Sequence, residues 1–161
     1  MSSFSLKRGH ILTSMAVKDD VKTGDSYFIV EIKSLKWVLD KVRTEERCYC
    51  FVDEILKGTN TIERIAASAS IIKWLAEYPS LAFIATHDIE LTDMLKSICS
   101  NVHFQETVTP ENGIEFDYQL RSGPSTTRNA LQLLDIMQFP KSIVEESKSK
   151  ATSFEETKAW L

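Results

Sequence analysis

Apolar positions change their period several times along the chain, and each change predicts a new element. Ile11-Leu12-Thr13-Ser14-Met15 is a short strand-like run, and the stretch Lys18-Asp19-Asp20-Val21-Lys22-Thr23-Gly24-Asp25 is a polar loop. From Ser26 onward Phe28, Ile32, Leu35, Leu39 and Val42 recur at alternating steps of four and three, which is one face of a helix. Thr44-Glu45-Glu46-Arg47 is a charged turn, followed by Cys48-Tyr49-Cys50-Phe51-Val52, strand-like at every position. A short apolar run bounded by turn residues predicts a buried strand of a parallel sheet. Ile62, Ile65, Ala66, Ala69, Ile72 and Ala76 form a second helical stripe that ends near Tyr78-Pro79. Leu81-Ala82-Phe83-Ile84-Ala85-Thr86 predicts another apolar strand, and Asp88 is placed to cap a helix through about Ile98. Residues 102–108 and 114–120 alternate around Pro110-Glu111-Asn112-Gly113, as in an antiparallel hairpin. Ser125 or Thr126 is placed to cap a helix reaching Met137, and Pro140 opens a final charged helix.

The order is therefore βαβαβα, then a hairpin, then helices. It predicts an α/β fold: a parallel sheet with right-handed crossovers, an antiparallel hairpin at one edge, and C-terminal helices. Residues 1–10 carry no clear period and read as a lead-in. Residues 1–146 read as one domain, and 147–161 as a polar tail, helical or frayed.

Composition narrows the function classes. The 161 residues are 43% hydrophobic and 26% charged, an ordinary balance for a globular domain with a real core. A net charge of −4 argues against a chain that coats nucleic acid by itself. No run approaches the roughly 18 apolar residues of a membrane span, and no signal-peptide core is visible, so a cytoplasmic protein without membrane contact is expected. Cys48, Cys50 and Cys99 are odd in number. The first two alternate along one strand and read as reduced core thiols rather than metal ligands.

The candidate chemistry sits where the predicted strands end. Asp53-Glu54 follows the first apolar strand and His87 follows the second. Strands of an open parallel sheet deliver their carboxyl ends to one crevice, where ligands bind. There one acid can hold Mg²⁺ through water and the next can orient or deprotonate a water. Taken singly, the two acids also read as a solvated strand end, and His87 as a helix-start residue bonded to its own turn. Together they are the parts that phosphoanhydride hydrolysis needs.

Longer stretches carry a family resemblance. Cys50-Phe51-Val52-Asp53-Glu54-Ile55-Leu56-Lys57-Gly58-Thr59-Asn60-Thr61 resembles the Walker B and D-loop, DEIGRGTST, of MutS-type mismatch-repair ATPases of the ABC superfamily. Ala85-Thr86-His87-Asp88-Ile89-Glu90-Leu91-Thr92 resembles that family's ATHYxELT switch. Asp19-Asp20 and Gly24-Asp25-Ser26-Tyr27-Phe28-Ile29-Val30-Glu31 resemble its SDDLxxGxSTFMVEM signature, and Tyr118 to Ser125 sits where the family has a strand-to-helix loop. The likeness runs from about Ile11 to about Glu146 with the motifs in order. It implies a P-loop NTPase fold of the ABC type, ATP and Mg²⁺ as cofactors, and hydrolysis that drives a DNA-repair clamp. By resemblance Asp53 coordinates Mg²⁺ through water, Glu54 polarises the attacking water and His87 senses the γ-phosphate. Ser26 reaches the γ-phosphate bound to the other subunit, and Gly58, Thr59, Asn60 and Thr61 line the subunit boundary. The implied partners are a second copy, met through the ATPase face of the complete protein, and DNA, held by regions outside this chain. For Ser26 the alternative is an ordinary helix N-cap.

Several positions depart from the pattern. Tyr27 stands where the family commonly has Thr, Asn60 where it has Ser, and Leu56-Lys57 where it has Gly-Arg. None of the five glycines opens a GxxxxGK[ST] loop. That loop, whose N–H groups and lysine cradle phosphates, is expected upstream of Met1, and the chain alone is expected to be inactive. Two further readings stand beside the first. One is another ABC-type DNA-repair ATPase such as an SMC-like protein, which the absence of LSGGQ disfavours. The other is a non-catalytic dimerisation or regulatory module of the same fold.

Overall fold

The computed structural model describes residues 3, 5–15, 26–109, 113–125 and 129–160. The polar loop of residues 18–25, the turn residues Pro110 to Asn112 and Thr126 lie outside the described residues. Two compact units divide the chain, residues 1–100 and 101–161.

The first unit alternates strand and helix: β1 His10–Ser14, α1 Tyr27–Thr44, β2 Cys48–Asp53, α2 Thr61–Leu75, β3 Ser80–Ala85 and α3 Ile89–Met94. The strands form a parallel sheet in the order β1-β2-β3, with Leu12 opposite Cys50 and Cys50 opposite Ala82. Because strand order never reverses, crossovers of one hand put successive helices on the same face. The core shows this. Leu12, Cys48 and Cys50 pack with Val38 and Val42 of α1 and Leu75 of α2, while Val52 packs with Leu35, Ala69, Ile72 and Leu91.

One face of the sheet is thereby filled and the other is not. Ile11, Leu81 and Phe83 are each at least half exposed, and Phe51 stacks on Phe83 with ring centroids 5.4 Å apart. The expectation of buried strands holds for β2, whose exposed position is Asp53, and in part for β3, half-buried at alternate positions. β2 and β3 are apolar on both sides, and the buried clusters join Cys48, Cys50 and Val52 to α1, α2 and α3 on one of them.

The helices follow their predicted spans with informative shifts. In α1 the buried positions are Glu31, Leu35, Val38 and Val42, so the inward face is turned about one residue from the predicted stripe, and Ile32 is 38% exposed. In α2 the Asn60 side chain accepts the Glu63 N–H at 3.0 Å and starts the helix, as an N-cap should. α3 ends at Met94 rather than near Ile98, because Leu95 to Ile98 continue as turn.

The second unit contains β4 Val102–His103, β5 Glu106–Thr109, β6 Gly113–Phe116, β7 Arg121–Ser122, α4 Ala130–Ile136 and α5 Lys141–Thr157. The predicted hairpin exists as β5-β6, with Gly113 in the left-handed region (φ +71°) that glycine tolerates. It does not extend the parallel sheet: β5-β6 and β4-β7 are separate two-stranded ladders. α4 begins at Ala130 after Asn129, later than the predicted cap at Ser125. α5 follows Pro140 and runs unbroken through residue 146, with Lys150 paired to Glu146 at 2.7 Å, so the polar stretch after 146 continues the same helix. No described helix is long and apolar enough to cross a membrane.

Candidate active site

β2 and β3 run parallel and in register to Asp53 opposite Ala85, and the Glu54 N–H donates to the Ala85 carbonyl at 3.0 Å, one residue past the strand. The chain then turns sharply. Glu54 and Leu56 lie in the left-handed region, at φ 53° and 57°, where a side chain costs on the order of 1 kcal/mol each. Specific contacts hold this turn. The Ser68 hydroxyl, on α2, donates to the Ile55 carbonyl at 3.4 Å, and the Lys57 N–H donates to Glu31 Oε1 on α1 at 2.9 Å. Gly58 lies against the first turn of α1, where an added Cβ would be 3.3 Å from Phe28 Cβ. Only a residue without Cβ fits there without displacing its neighbour.

The turn brings Glu54 under His87. Glu54 Oε1 is 3.4 Å from His87 Nε2, and its Oε2 is 2.8 Å from Lys57 Nζ. The Glu54 side chain is 15% exposed, whereas the imidazole of His87 is 94% exposed. The carboxylate holds the Lys57 ammonium above its ordinary pKa through that hydrogen bond. A cleft of about 300 Å³ opens here, lined by Glu54, Lys57, Arg64, Thr86, His87 and Asp88.

The loop carrying His87 is braced on both sides. Thr86 Oγ1 accepts the Asp88 N–H at 3.0 Å. The Asp88 carboxylate takes a two-pronged contact from Arg64 of α2, Nε to Oδ2 at 2.8 Å and Nη2 to Oδ1 at 2.6 Å. Asp88 precedes α3 as predicted, but its side chain makes no cap hydrogen bond, being turned to Arg64 instead. That pairing raises the Arg64 pKa.

The remaining predicted residues sit as follows. Asp53 closes β2 with an exposed side chain, beside Glu54 but not on the cleft wall. Ser26 is exposed at the start of α1, where its carbonyl accepts the N–H groups of Ile29 and Val30 while its hydroxyl makes no cap hydrogen bond. Gly58, Thr59, Asn60 and Thr61 form the link into α2, where Thr59 Oγ1 donates to Glu63 Oε2 at 3.0 Å. Sequence reasoning missed Glu31, Lys57 and Arg64. Lys57 was findable from its spacing of three after Glu54. Arg64 meets Asp88 across 24 residues of chain, which no local pattern signals.

Residues 3–155 of the chain match MutS domain V. The chain belongs to the MutS family. It corresponds to the C-terminal part of a MutS-type mismatch-repair ATPase, and its domain V covers both described units. It is 28% identical over 159 residues to MutS protein homolog 4 of Homo sapiens, covering 94% of this chain and 17% of that protein. Over 139 residues it is 27% identical to the DNA mismatch repair protein MutS of Thermus thermophilus, covering 86% of this chain and 17% of that one. The MutS of Natronomonas pharaonis is 29% identical over 140 residues, covering 85% and 16%. The chain thus spans about one sixth of the length of these relatives.

Proposed function

We propose that this MutS domain V supplies the hydrolytic half of an ATP site whose turnover drives a DNA-repair clamp. The observation that carries the reading is the approach of Glu54 to His87, 3.4 Å apart at the carboxyl ends of adjacent parallel strands and inside one cleft. Glu54 is the general base: its Oε1 contact to His87 is long for a hydrogen bond, so that oxygen is still able to accept from a water. His87 extends into solvent from a braced loop, as a group that meets a terminal phosphate must. Asp53 fits Mg²⁺ held through water, because its carboxylate is exposed and tied in no ion pair among the described residues. Bound Mg²⁺ supplies neutralisation of phosphate charge.

In the same reading Ser26 serves a nucleotide held by a second copy, met through the ATPase face. Its exposed hydroxyl, unused in capping, and the electropositive start of the 18-residue α1 support that role. Gly58, Thr59, Asn60 and Thr61 line the boundary between copies. The 161 residues contain no GxxxxGK[ST] loop, and carboxylates do not replace N–H donors and a lysine around a polyanion, so the chain alone does not turn over ATP. DNA is held by regions outside this chain, in keeping with its net charge of −4, and the protein works in the cytoplasm.

The test uses the protein with its complete nucleotide site. Glu54→Gln keeps shape and nucleotide binding while turnover falls about 10²–10⁴-fold, the usual worth of a general base. Asp53→Asn instead weakens Mg²⁺-dependent binding. Wild-type turnover in Glu54→Gln refutes the reading, and identical binding by the two variants refutes the division of roles.

A further inference from the structure

Glu31 lies in the first two turns of α1 and is only 7% exposed, on a face whose other buried positions are Leu35, Val38 and Val42. A carboxylate on an apolar face needs a compensating partner. Its Oε1 has one in the Lys57 N–H at 2.9 Å, while its buried Oε2 has none among the described residues. Lys57 belongs to the strained turn that aims Glu54 at the cleft, immediately after left-handed Leu56. The next residue, Gly58, is in close approach to Phe28, three positions before Glu31 on α1. The start of α1 therefore holds Lys57 through a carboxylate and leaves no room for a side chain at Gly58. Ser26, which opens α1, lies at the same end of the helix.

We propose that Glu31 is a positioning residue, a latch that fastens α1 to the Glu54–Gly58 turn and couples Ser26, at a partner's nucleotide, to Glu54, at its own. The coupling rests on the function proposed above; the latch itself does not. Residues held at unfavourable φ persist only where their surroundings over-determine them. Without the acceptor at position 31, the Lys57 amide loses its bond and the turn relaxes toward ordinary dihedrals. Glu54 then moves relative to His87, and a displacement near 1 Å at a reacting group costs on the order of 10² in rate.

The experiment compares Glu31→Ala, Glu31→Gln and Glu54→Gln in the protein with its complete nucleotide site. Glutamine retains an Oε1 to accept the Lys57 N–H, so Glu31→Gln keeps both protected amide and turnover. Glu31→Ala is expected to speed hydrogen exchange of the Lys57 amide relative to amides of β2, which stay protected. It also lowers kcat by about ten- to a hundredfold, with nucleotide affinity within about threefold of the parent. Unchanged Lys57 exchange in a folded Glu31→Ala protein overturns the latch, as does equal loss of kcat in Glu31→Ala and Glu31→Gln. If Glu31→Ala does not fold, slow Lys57 exchange with full turnover in Glu31→Gln still supports the latch, and rapid exchange there overturns it. Normal turnover in Glu54→Gln sinks the hydrolytic reading instead, while Lys57 exchange continues to judge the latch on its own.

Discussion

Removing the Arg64–Asp88 pair tests how firmly the His87 loop is fixed to α2. The two side chains are 23% and 12% exposed and are joined by two bonds between charged groups, at 2.8 and 2.6 Å. An exposed ion pair contributes about 0–1 kcal/mol, and breaking a buried one costs about 3–5 kcal/mol. Partial burial with two-pronged geometry puts this pair between them, at a coupling of about 1.5–3 kcal/mol. Arg64→Ala leaves a largely buried Asp88 carboxylate without its guanidinium, so it destabilises more than the loss of exposed packing alone. Asp88→Ala does the same to the guanidinium. The double variant loses both charges together and is destabilised by less than the sum of the singles. The assay is a double-mutant cycle on denaturant midpoints, with salt dependence as a second axis, since a sheltered pair is screened less than an exposed one. A coupling below about 0.5 kcal/mol would show that the pair is no brace.

Two further outcomes follow from local electrostatics and burial. Asp117 is held down to about 2 by the Arg121 guanidinium, helped by the Gln119 N–H, against an ordinary 3.8. A depressed carboxyl contributes stability above its unfolded pKa and loses it as pH falls through its folded one, here between 3.8 and about 2. NMR titration should give a midpoint near that low value, moving up toward 3.8 in Arg121→Ala; an unmoved midpoint contradicts the assignment. Cys48 and Cys50 are fully buried, and burial pushes the Cys50 thiol up to about 11. A thiol reagent at neutral pH should modify half-buried Cys99 first and reach Cys48 and Cys50 only on unfolding, and early labelling of Cys50 in the native protein would contradict that burial.

What was legible in the sequence was whatever local chemistry dictates. The runs through Phe51 and Phe83 are short, apolar and bounded by turn residues, as strands are, and their carboxyl ends carry Glu54 and His87 to one crevice. The misreadings arise where a distant partner outweighs local preference. Glu31 is buried where it accepts the Lys57 N–H, on an inward face of α1 turned about a residue from the apolar stripe. Asp88 stands before α3, but its carboxylate is bound to Arg64, so the cap is unmade. The apolar pattern of β3 shows that both its faces are fit for burial, yet not that Leu81 and Phe83 stay uncovered once α1 and α2 share the opposite face. In the same way the alternation around Gly113 specified a hairpin without specifying its ladder partners.

In the function proposed above, one copy of this chain serves two nucleotides, with Glu54 and His87 at its own and Ser26 at its partner's. Mixing two inactive forms of the complete protein, under conditions where subunits exchange, separates a shared site from a self-contained one. One form carries Ser26→Arg, an exposed change expected to leave the fold intact within about 1 kcal/mol. The other carries a substitution of the phosphate-loop lysine proposed for the complete protein. A mixed dimer then holds one site with both defects and one with neither. Phosphate release from the intact site is expected in a single-turnover measurement on the mixture, although each form alone is silent. Verified mixed dimers that release no phosphate would contradict a shared site.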